Sequence, residues 1–308
     1  MPINRSDMNY FILGMGKCGT SSLADWMVAN KLADYVIAGV KEPYIFAQSN
    51  LPCIPLNSKM PSLDASPGYA TNLDALGRIP EHNSRLVLCL RNQFERTWSA
   101  YKMKKLYVSG GSDVSKFIDK FPTAKGSRTY FKSSNVYDII LSTVKLHYPR
   151  KSSDYIDKYF DFEWNQFSKQ NFAERINYEI AFLLKRRMFP FISILNDSFY
   201  TFPIKNILSR FHAKDLFLVS VSKFNDNAIR DNFAHSLFDI KLTTTPLLNN
   251  FTLKDIDIGE DKPDFKSSEW DFLRYFFKED LASLFLLLND GFFIKDYIDT
   301  NELKNNIT

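Results

Sequence analysis

The stretch YFILGMGKCGTSSL, residues 10–23, decides the fold of this chain. Its apolar start predicts a short buried strand, and the pattern from Thr20 onward predicts a helix. The glycines between them let the backbone turn tightly and approach a ligand closely. Because the first N–H groups of a helix are free and lie at the positive end of its dipole, this turn predicts a seat for a phosphate-like anion. Lys17 adds a full positive charge to the turn.

The turn is close to the Walker A phosphate loop but departs from it at one position. That motif has Lys directly after its last Gly, whereas here Lys17 precedes Gly19 and Thr20 follows it. A nucleotide kinase or ATPase is therefore disfavoured. From these residues alone, an ordinary glycine-rich connection between a strand and a helix stays an open alternative.

Length and composition set broad limits on the class of protein. The chain has 308 residues, 45% of them hydrophobic and 24% charged, which predicts a globular protein with one large domain or two small ones. A net charge of +4 suits an anionic ligand but does not call for nucleic acid, and we expect no nucleic-acid partner. Neither a signal-peptide core nor an apolar run of membrane-spanning length is visible, so we expect no membrane span and a cytoplasmic protein.

The cysteines indicate neither a disulfide framework nor a metal site. There are 3, at positions 18, 53 and 89, and none forms a CxxC pair. Since the sequence shows no metal-ligand cluster, we expect no metal. A catalytic thiol at Cys18 is a minority alternative, because no histidine lies near it in sequence to act as its base.

A second strand and helix carry another candidate anion contact. The apolar run within residues 85–91 predicts a buried strand that ends at Arg91, and Ser99 lies about two turns into the helix that follows. Both side chains are expected to face the same crevice as the glycine turn. A surface salt bridge from Arg91 to Glu95 or Glu81, and an ordinary helix hydroxyl at Ser99, are the alternatives.

A charged pair follows another predicted strand, at residues 33–40. Lys41 and Glu42 come directly after it, and Pro43 fixes an extended exit. Open α/β sheets bind their ligands at the carboxyl ends of strands, so Glu42 is a candidate for chemistry. From this pair alone, a solvated loop is the favoured alternative.

The rest of the chain predicts a short strand end with a turn at 62–69, and helices around one late strand. We expect a helical, aromatic-rich insertion at about 103–200, a late strand at 215–221, and a polar, frayed tail at 301–308.

Four segments in this order resemble the sulfotransferases that use 3′-phosphoadenosine-5′-phosphosulfate (PAPS), nearest to the heparan sulfate and glycan branch and its bacterial relatives. They are residues 14–23, 41–46, 64–69 and 86–99. The resemblance implies a single domain over 1–308, a P-loop-type three-layer α/β sandwich with a central, mostly parallel sheet between helices. It also implies PAPS as donor and 3′,5′-adenosine bisphosphate (PAP) as product.

The resemblance also implies roles for individual residues. Lys17 would neutralise the oxygen that leaves the sulfuryl group, and Glu42 would be the base for the acceptor. A histidine base, as in cytosolic small-molecule members, has no histidine near Lys41 in sequence to supply it. The residues expected to bind the donor are Gly16, Lys17, Cys18, Gly19, Thr20, Ser21, Ser22, Arg91 and Ser99.

The expected acceptor is a hydroxyl or amine of a carbohydrate. A small-molecule or lipid acceptor is the alternative within the class, and a P-loop nucleotide kinase or a catalytically silent nucleotide-binding module are alternatives outside it. The Lys-Gly-Arg loop that closes over the 3′-phosphate in the glycan branch is missing. Its replacement is left open among four lysines: Lys241, Lys254, Lys262 and Lys266.

Overall fold

The protein folds around a five-stranded sheet in which every neighbouring pair is parallel. The computed structural model describes residues 7–48, 60–110, 136–241, 257–289 and 296–307. The strands are β1 (Asn9–Gly14), β2 (Asp34–Tyr35), β3 (Ser62–Asp64), β4 (Ser84–Leu90) and β5 (Leu216–Ser220). Their order in the sheet is β2-β3-β1-β4-β5. The predicted α/β fold with a mostly parallel central sheet is confirmed.

Helices flank this sheet and fill the region between β4 and β5. Within the described residues they are α1 (Thr20–Ala29), α2 (Leu73–Leu76), α3 (Gln93–Ser109), α4 (Val136–His147), α5 (Ser153–Lys169), α6 (Phe172–Arg186), α7 (Thr201–Leu208), α8 (Asn227–Phe238), α9 (Asp271–Asn289) and α10 (Thr300–Lys304). The end of α3 and the helices α4, α5 and α6 fall within residues 103–200, where a helical insertion was expected. None of the described helices has the length and apolar character needed to cross a bilayer. That the whole chain is one domain stays a prediction.

Three adjacent strands, β1, β4 and β5, contribute apolar side chains in register to the core. Ile12 of β1 is paired with Val87 of β4, which is paired in turn with Phe217 of β5. All three side chains are at most 1% exposed. A parallel sheet is covered on both faces, so its strands are almost continuously apolar, and that is why the sequence reveals them clearly.

The predicted strand at 33–40 is wrong in its extent. Only Asp34–Tyr35 pairs with the sheet, and Ile37 and Val40 form an isolated antiparallel bridge. Gly39 has a φ of +73°, a left-handed conformation that turns the chain back on itself. The β-prone residues 35–37 therefore run into a tight turn, and the turn delivers Lys41 and Glu42 to the sheet edge.

The prediction of a frayed tail is also wrong for the described residues. Asp299 caps α10 by accepting hydrogen bonds from the backbone N–H groups of Asn301 and Glu302. Leu303 and Ile307 are both buried. Two apolar residues among polar neighbours are enough to anchor this short segment, and they hold it beside the start of α3.

Candidate active site

A cavity of about 1090 Å³ opens beyond the carboxyl ends of β1 and β4. It brings together every residue that the sequence analysis proposed for the site. These are Gly16, Lys17, Cys18, Gly19, Thr20, Ser21, Ser22, Glu42, Arg91 and Ser99. Residues after β5, among them Val221 and Ser222, complete the wall on the other side of the glycine turn.

The glycine turn is fixed by backbone bonds and by close packing. The N–H of Met15 donates to the carbonyl of Cys89 at 3.0 Å, which ties the turn to β4. Gly19 has a φ of +89°, and a β-carbon there would lie 2.8 Å from the side chain of Val221, so only glycine fits. No described side chain caps the first turn of α1, and that turn carries no acidic residue. Its N–H groups are therefore available to an anion.

Lys17 lies half-buried in the cavity wall. Burial, together with the positive charges of Arg91 and Arg96, lowers the pKa of its ammonium group to about 7. Three cationic side chains thus face one small region, and the two guanidinium groups disfavour the charged form of Lys17. A bound anion would relieve this repulsion.

The guanidinium of Arg91 points toward the glycine turn. Its Nη1 lies 3.5 Å from the carbonyl oxygen of Lys17. Arg91 also lies 3.8 Å from the carboxylate of Glu95, one helical turn further on, so the salt-bridge alternative coexists with the site geometry. The other side of that carboxylate is occupied by the ammonium group of Lys262.

Arg96 is a site residue that sequence reasoning missed. It is 2% exposed, and its Nε donates to the carbonyl of Gly16 at 2.8 Å. Its Nη1 donates to the Ser198 hydroxyl at 3.0 Å, and its Nη2 lies 3.3 Å from Asp197. Arg96 therefore connects the glycine turn to the helical region. Its position one turn after Asn92 carries no signal of this role, because its partners lie about a hundred residues away.

Glu42 reaches the cavity with both carboxylate oxygens held. The buried Lys41 ammonium lies 2.5 Å from Oε1, and the Tyr44 hydroxyl donates to Oε2 at 3.3 Å. Lys41 also donates to the carbonyl of Ala65 at 3.2 Å. The carboxylate is fixed in direction, which a general base requires.

The turn after β3 helps to position Tyr44, and through it Glu42, by hydrogen bonds. Asp64 accepts hydrogen bonds from the hydroxyls of Ser66, at 2.6 Å, and Tyr69, at 2.8 Å. Burial raises the pKa of Asp64 to about 7, although these hydrogen bonds oppose the shift. The Ser66 hydroxyl in turn accepts from the N–H of Tyr44 at 3.0 Å. Asp64 and Ser66 thereby position Tyr44, which holds Glu42.

His147 is a second residue that the sequence did not reveal. It lines the cavity, and its ring packs edge-on against Tyr44 with the centroids 5.7 Å apart. Its Nδ1 lies 2.8 Å from the carbonyl of Thr143, and burial lowers its pKa. A β-carbon at Gly68 would overlap the ring, so the glycine makes room for it. No histidine lies near Lys41 along the sequence, whereas in the fold His147 packs against Tyr44, three residues after Lys41.

Cys18 does not have the properties of a nucleophile. Its sulfur lies 3.8 Å from the Tyr200 hydroxyl, and burial raises the pKa of the thiol to about 11. A reactive thiolate needs a lowered pKa. Cys89 is buried in β4, and Cys53 lies outside the described residues.

The structure distinguishes among the four lysines considered as replacements for the missing Lys-Gly-Arg loop. Lys262 lines the cavity, whereas Lys241 and Lys266 are described and lie outside its lining. Lys254 falls outside the described residues. Within the described part of the chain, no group of three His, Cys, Asp or Glu side chains is arranged to hold a metal ion.

Comparison with known proteins finds a likeness in fold to a solved structure. No protein-family model matches the chain, and no curated protein matches it in sequence. A solved structure of a sulfotransferase from Alicyclobacillus acidocaldarius matches with a TM-score of 0.52 and 16% identity, over 92% of this chain and 96% of that one. An identity this low establishes the fold alone. The chain therefore has the fold of a sulfotransferase.

Proposed function

We propose that this protein transfers the sulfuryl group of PAPS to a hydroxyl acceptor and releases PAP. One observation carries the proposal. The glycine turn after β1 and the guanidinium after β4 lie side by side in the wall of one cavity, with Arg91 Nη1 3.5 Å from the Lys17 carbonyl oxygen. The carboxylate of Glu42 lines the same cavity.

The glycine turn suits the 5′ side of the donor. The first N–H groups of α1 and the hydroxyls of Thr20, Ser21 and Ser22 are hydrogen-bond donors for a phosphate. Lys17 supplies a cation for the bridging oxygen, where negative charge develops as the sulfur–oxygen bond breaks.

Arg91, Ser99 and Lys262 suit the 3′-phosphate. A guanidinium recognises a phosphate through two parallel N–H bonds, and an ammonium adds a point charge. The carboxylate of Glu95 lies between Arg91 and Lys262 and keeps two cations together at the cavity wall. Lys262 is the residue we assign to the role of the missing Lys-Gly-Arg loop.

Glu42 takes the acceptor proton in this proposal. The acceptor oxygen forms a bond to sulfur as the bond from sulfur to the 5′-phosphate oxygen breaks, and that oxygen keeps the electron pair. The proton of the acceptor passes to the Glu42 carboxylate. Such transfers resemble phosphoryl transfer, in which positioning and charge stabilisation supply most of the catalysis.

Binding and transfer assays test the proposal together. Calorimetry of the purified chain should show that PAP binds more tightly than ATP and that it does so without magnesium. Radiolabelled PAPS should pass its label to a hydroxyl compound. A magnesium-dependent consumption of ATP would support the kinase alternative instead, and tight PAP binding without transfer to any acceptor would support a silent nucleotide-binding module.

A further inference from the structure

The cavity extends well beyond the residues assigned to the donor. Helix α3 runs along its wall, from Glu95 through Ser99 to Tyr107, all of which line it. At 1.5 Å per residue, Glu95 and Tyr107 are about 18 Å apart along the helix axis. The part of the cavity beside Tyr107, which we call the far end, is separate from the anion-binding part beside Arg91.

Helix α4 presents an apolar stripe to this far end. Val136, Ile139, Ile140 and Val144 recur at helical spacing, and all four line the cavity. Val144 is buried, whereas the other three are only half-buried. An apolar stripe of this spacing normally packs into a protein core. Here Val144 belongs to the core and Ile140 packs partly against it, but the stripe also lines a cavity that continues from the proposed active site.

Aromatic and apolar side chains form further parts of the same wall. Residues 188–191 have the sequence Met-Phe-Pro-Phe and line the cavity together with Met103 and Tyr148. The rings of Tyr148 and Phe191 lie 4.9 Å apart. Small-molecule sites are lined in this way, by apolar and aromatic side chains with a few polar groups that fix orientation.

Among the described residues, the charged side chains near Tyr107 do not suit a polyanionic sugar chain. Among the described residues of α3 beyond Ser99 that line the cavity, the charged ones are Lys102 and Lys104. The Lys104 ammonium already donates to the carbonyl of Ser193. The described part of the lining has two guanidinium groups, Arg91 and Arg96, and both contact the glycine turn. Proteins normally bind a carboxylate or sulfate group with two parallel hydrogen bonds from one arginine guanidinium.

We infer that the acceptor is an alcohol or phenol with an apolar body, which lies against the α4 stripe and presents its hydroxyl to Glu42. The inference rests on the proposed function and narrows its acceptor class. His147 and Tyr44 connect the two parts of the site. His147 ends the stripe of α4, its ring packs on Tyr44, and the Tyr44 hydroxyl donates to Glu42. A molecule seated on the stripe therefore ends beside the proposed base.

A transfer assay with radiolabelled PAPS tests this acceptor class on the full chain. The probes are 2-naphthol and 1-octanol as apolar hydroxyl compounds, and a heparosan hexasaccharide as the carbohydrate. We expect kcat/KM for at least one apolar probe to exceed that for the hexasaccharide by about 100-fold, since discrimination of this size needs only a few buried methylene contacts. Preferred transfer to the hexasaccharide, or no transfer to either apolar probe, would overturn the inference.

Substitutions on the stripe locate the binding site of the apolar probe. Ile140→Asn should raise KM for that probe about tenfold, the effect of one lost apolar contact, and leave the Kd of PAP within about twofold. Ile229→Asn is the control, because Ile229 is also half-buried in a helix but lies outside the cavity lining. Ile139→Thr is a milder second variant in case the first one unfolds. An unchanged KM in a folded stripe variant would contradict the inference.

A measurement of PAP binding distinguishes failure of the apolar-acceptor inference from failure of the proposed function. If PAP binds and the radiolabelled sulfuryl group is transferred to the hexasaccharide alone, the proposed sulfuryl transfer is supported and the apolar-acceptor inference is wrong. If PAP does not bind at all, the proposed function itself falls.

Discussion

The two ends of the cavity are built in different ways. The end beside Arg91, where we propose that the phosphates of the donor bind and which we call the anion-binding end, consists of short segments directly after neighbouring strands. It offers the uncapped N–H groups of α1 and the charges of Lys17 and Arg91. The far end gathers side chains from α3, α4 and residues 188–191, which are distant in sequence. A site for a phosphate can thus be encoded locally, whereas a site for an acceptor body depends on how helices pack.

Glu42 lies between the two ends, so its loss should affect turnover but not donor binding. We expect Glu42→Gln to lower kcat by about 10²–10⁴-fold, the usual contribution of a positioned general base. The Kd of PAP should stay within about twofold, because the amide has the shape of the carboxylate. Single-turnover transfer and calorimetry on the same preparation measure the two quantities.

The exposed Glu81→Gln is the matched control for this substitution. It should retain full activity. If Glu42→Gln were equally active, the base would have to be another residue, and His147 would be the next candidate because it packs on Tyr44.

Lys17 belongs to the anion-binding end alone, so its loss should affect both donor binding and turnover. We expect Lys17→Ala to lower kcat by about 10²–10³-fold, as seen when one preorganised stabiliser of developing charge is removed. PAP binding should weaken as well. Lys169→Ala, on the exposed surface of α5, serves as the control in the same assays.

The pKa of Lys17 allows a further test of PAP binding at the glycine turn. This test does not depend on the residues at the far end of the cavity. Since this pKa is lowered to about 7, most of the free protein carries a neutral Lys17 at pH 8. Bound negative charge favours the ammonium form and raises the pKa. PAP binding at pH 8 should therefore take up close to one proton, because the phosphates, with a second pKa of about 6, are already ionised.

Calorimetry in buffers of different ionisation enthalpy measures this uptake. Lys17→Met removes the titrating group and should abolish it. Proton uptake that persists in Lys17→Met would show that another group titrates.

The sequence was sufficient for β1, for β4 and for the glycine turn that follows β1. Buried parallel strands are continuously apolar, and the glycine turn has its own local signature, so β1, β4 and residues 14–23 were visible without coordinates. The cofactor-binding and catalytic roles assigned there stay predictions.

The rest could not be predicted because it depends on contacts between distant segments. Arg96 contacts the glycine turn, Asp197 and Ser198, and nothing in its helix distinguishes it from a surface arginine. His147 reaches Tyr44 only because Gly68 leaves room for its ring. The short extent of β2 follows from the turn at Gly39, which overrides the β-prone residues before it.

The central claim is that one PAPS or PAP molecule binds at the ends of two strands. Its 5′ side would lie at the glycine turn after β1, and its 3′-phosphate at Arg91 after β4. Calorimetry of Arg91→Ala with PAP and with 5′-AMP tests it most directly, with Arg186→Ala on α6 as the control. Loss of a charge-assisted pair of hydrogen bonds costs about 1.5–3 kcal/mol. The account therefore predicts that the Kd of PAP rises by roughly 10- to 100-fold while that of 5′-AMP changes less than about twofold. Equal losses for both ligands would contradict it.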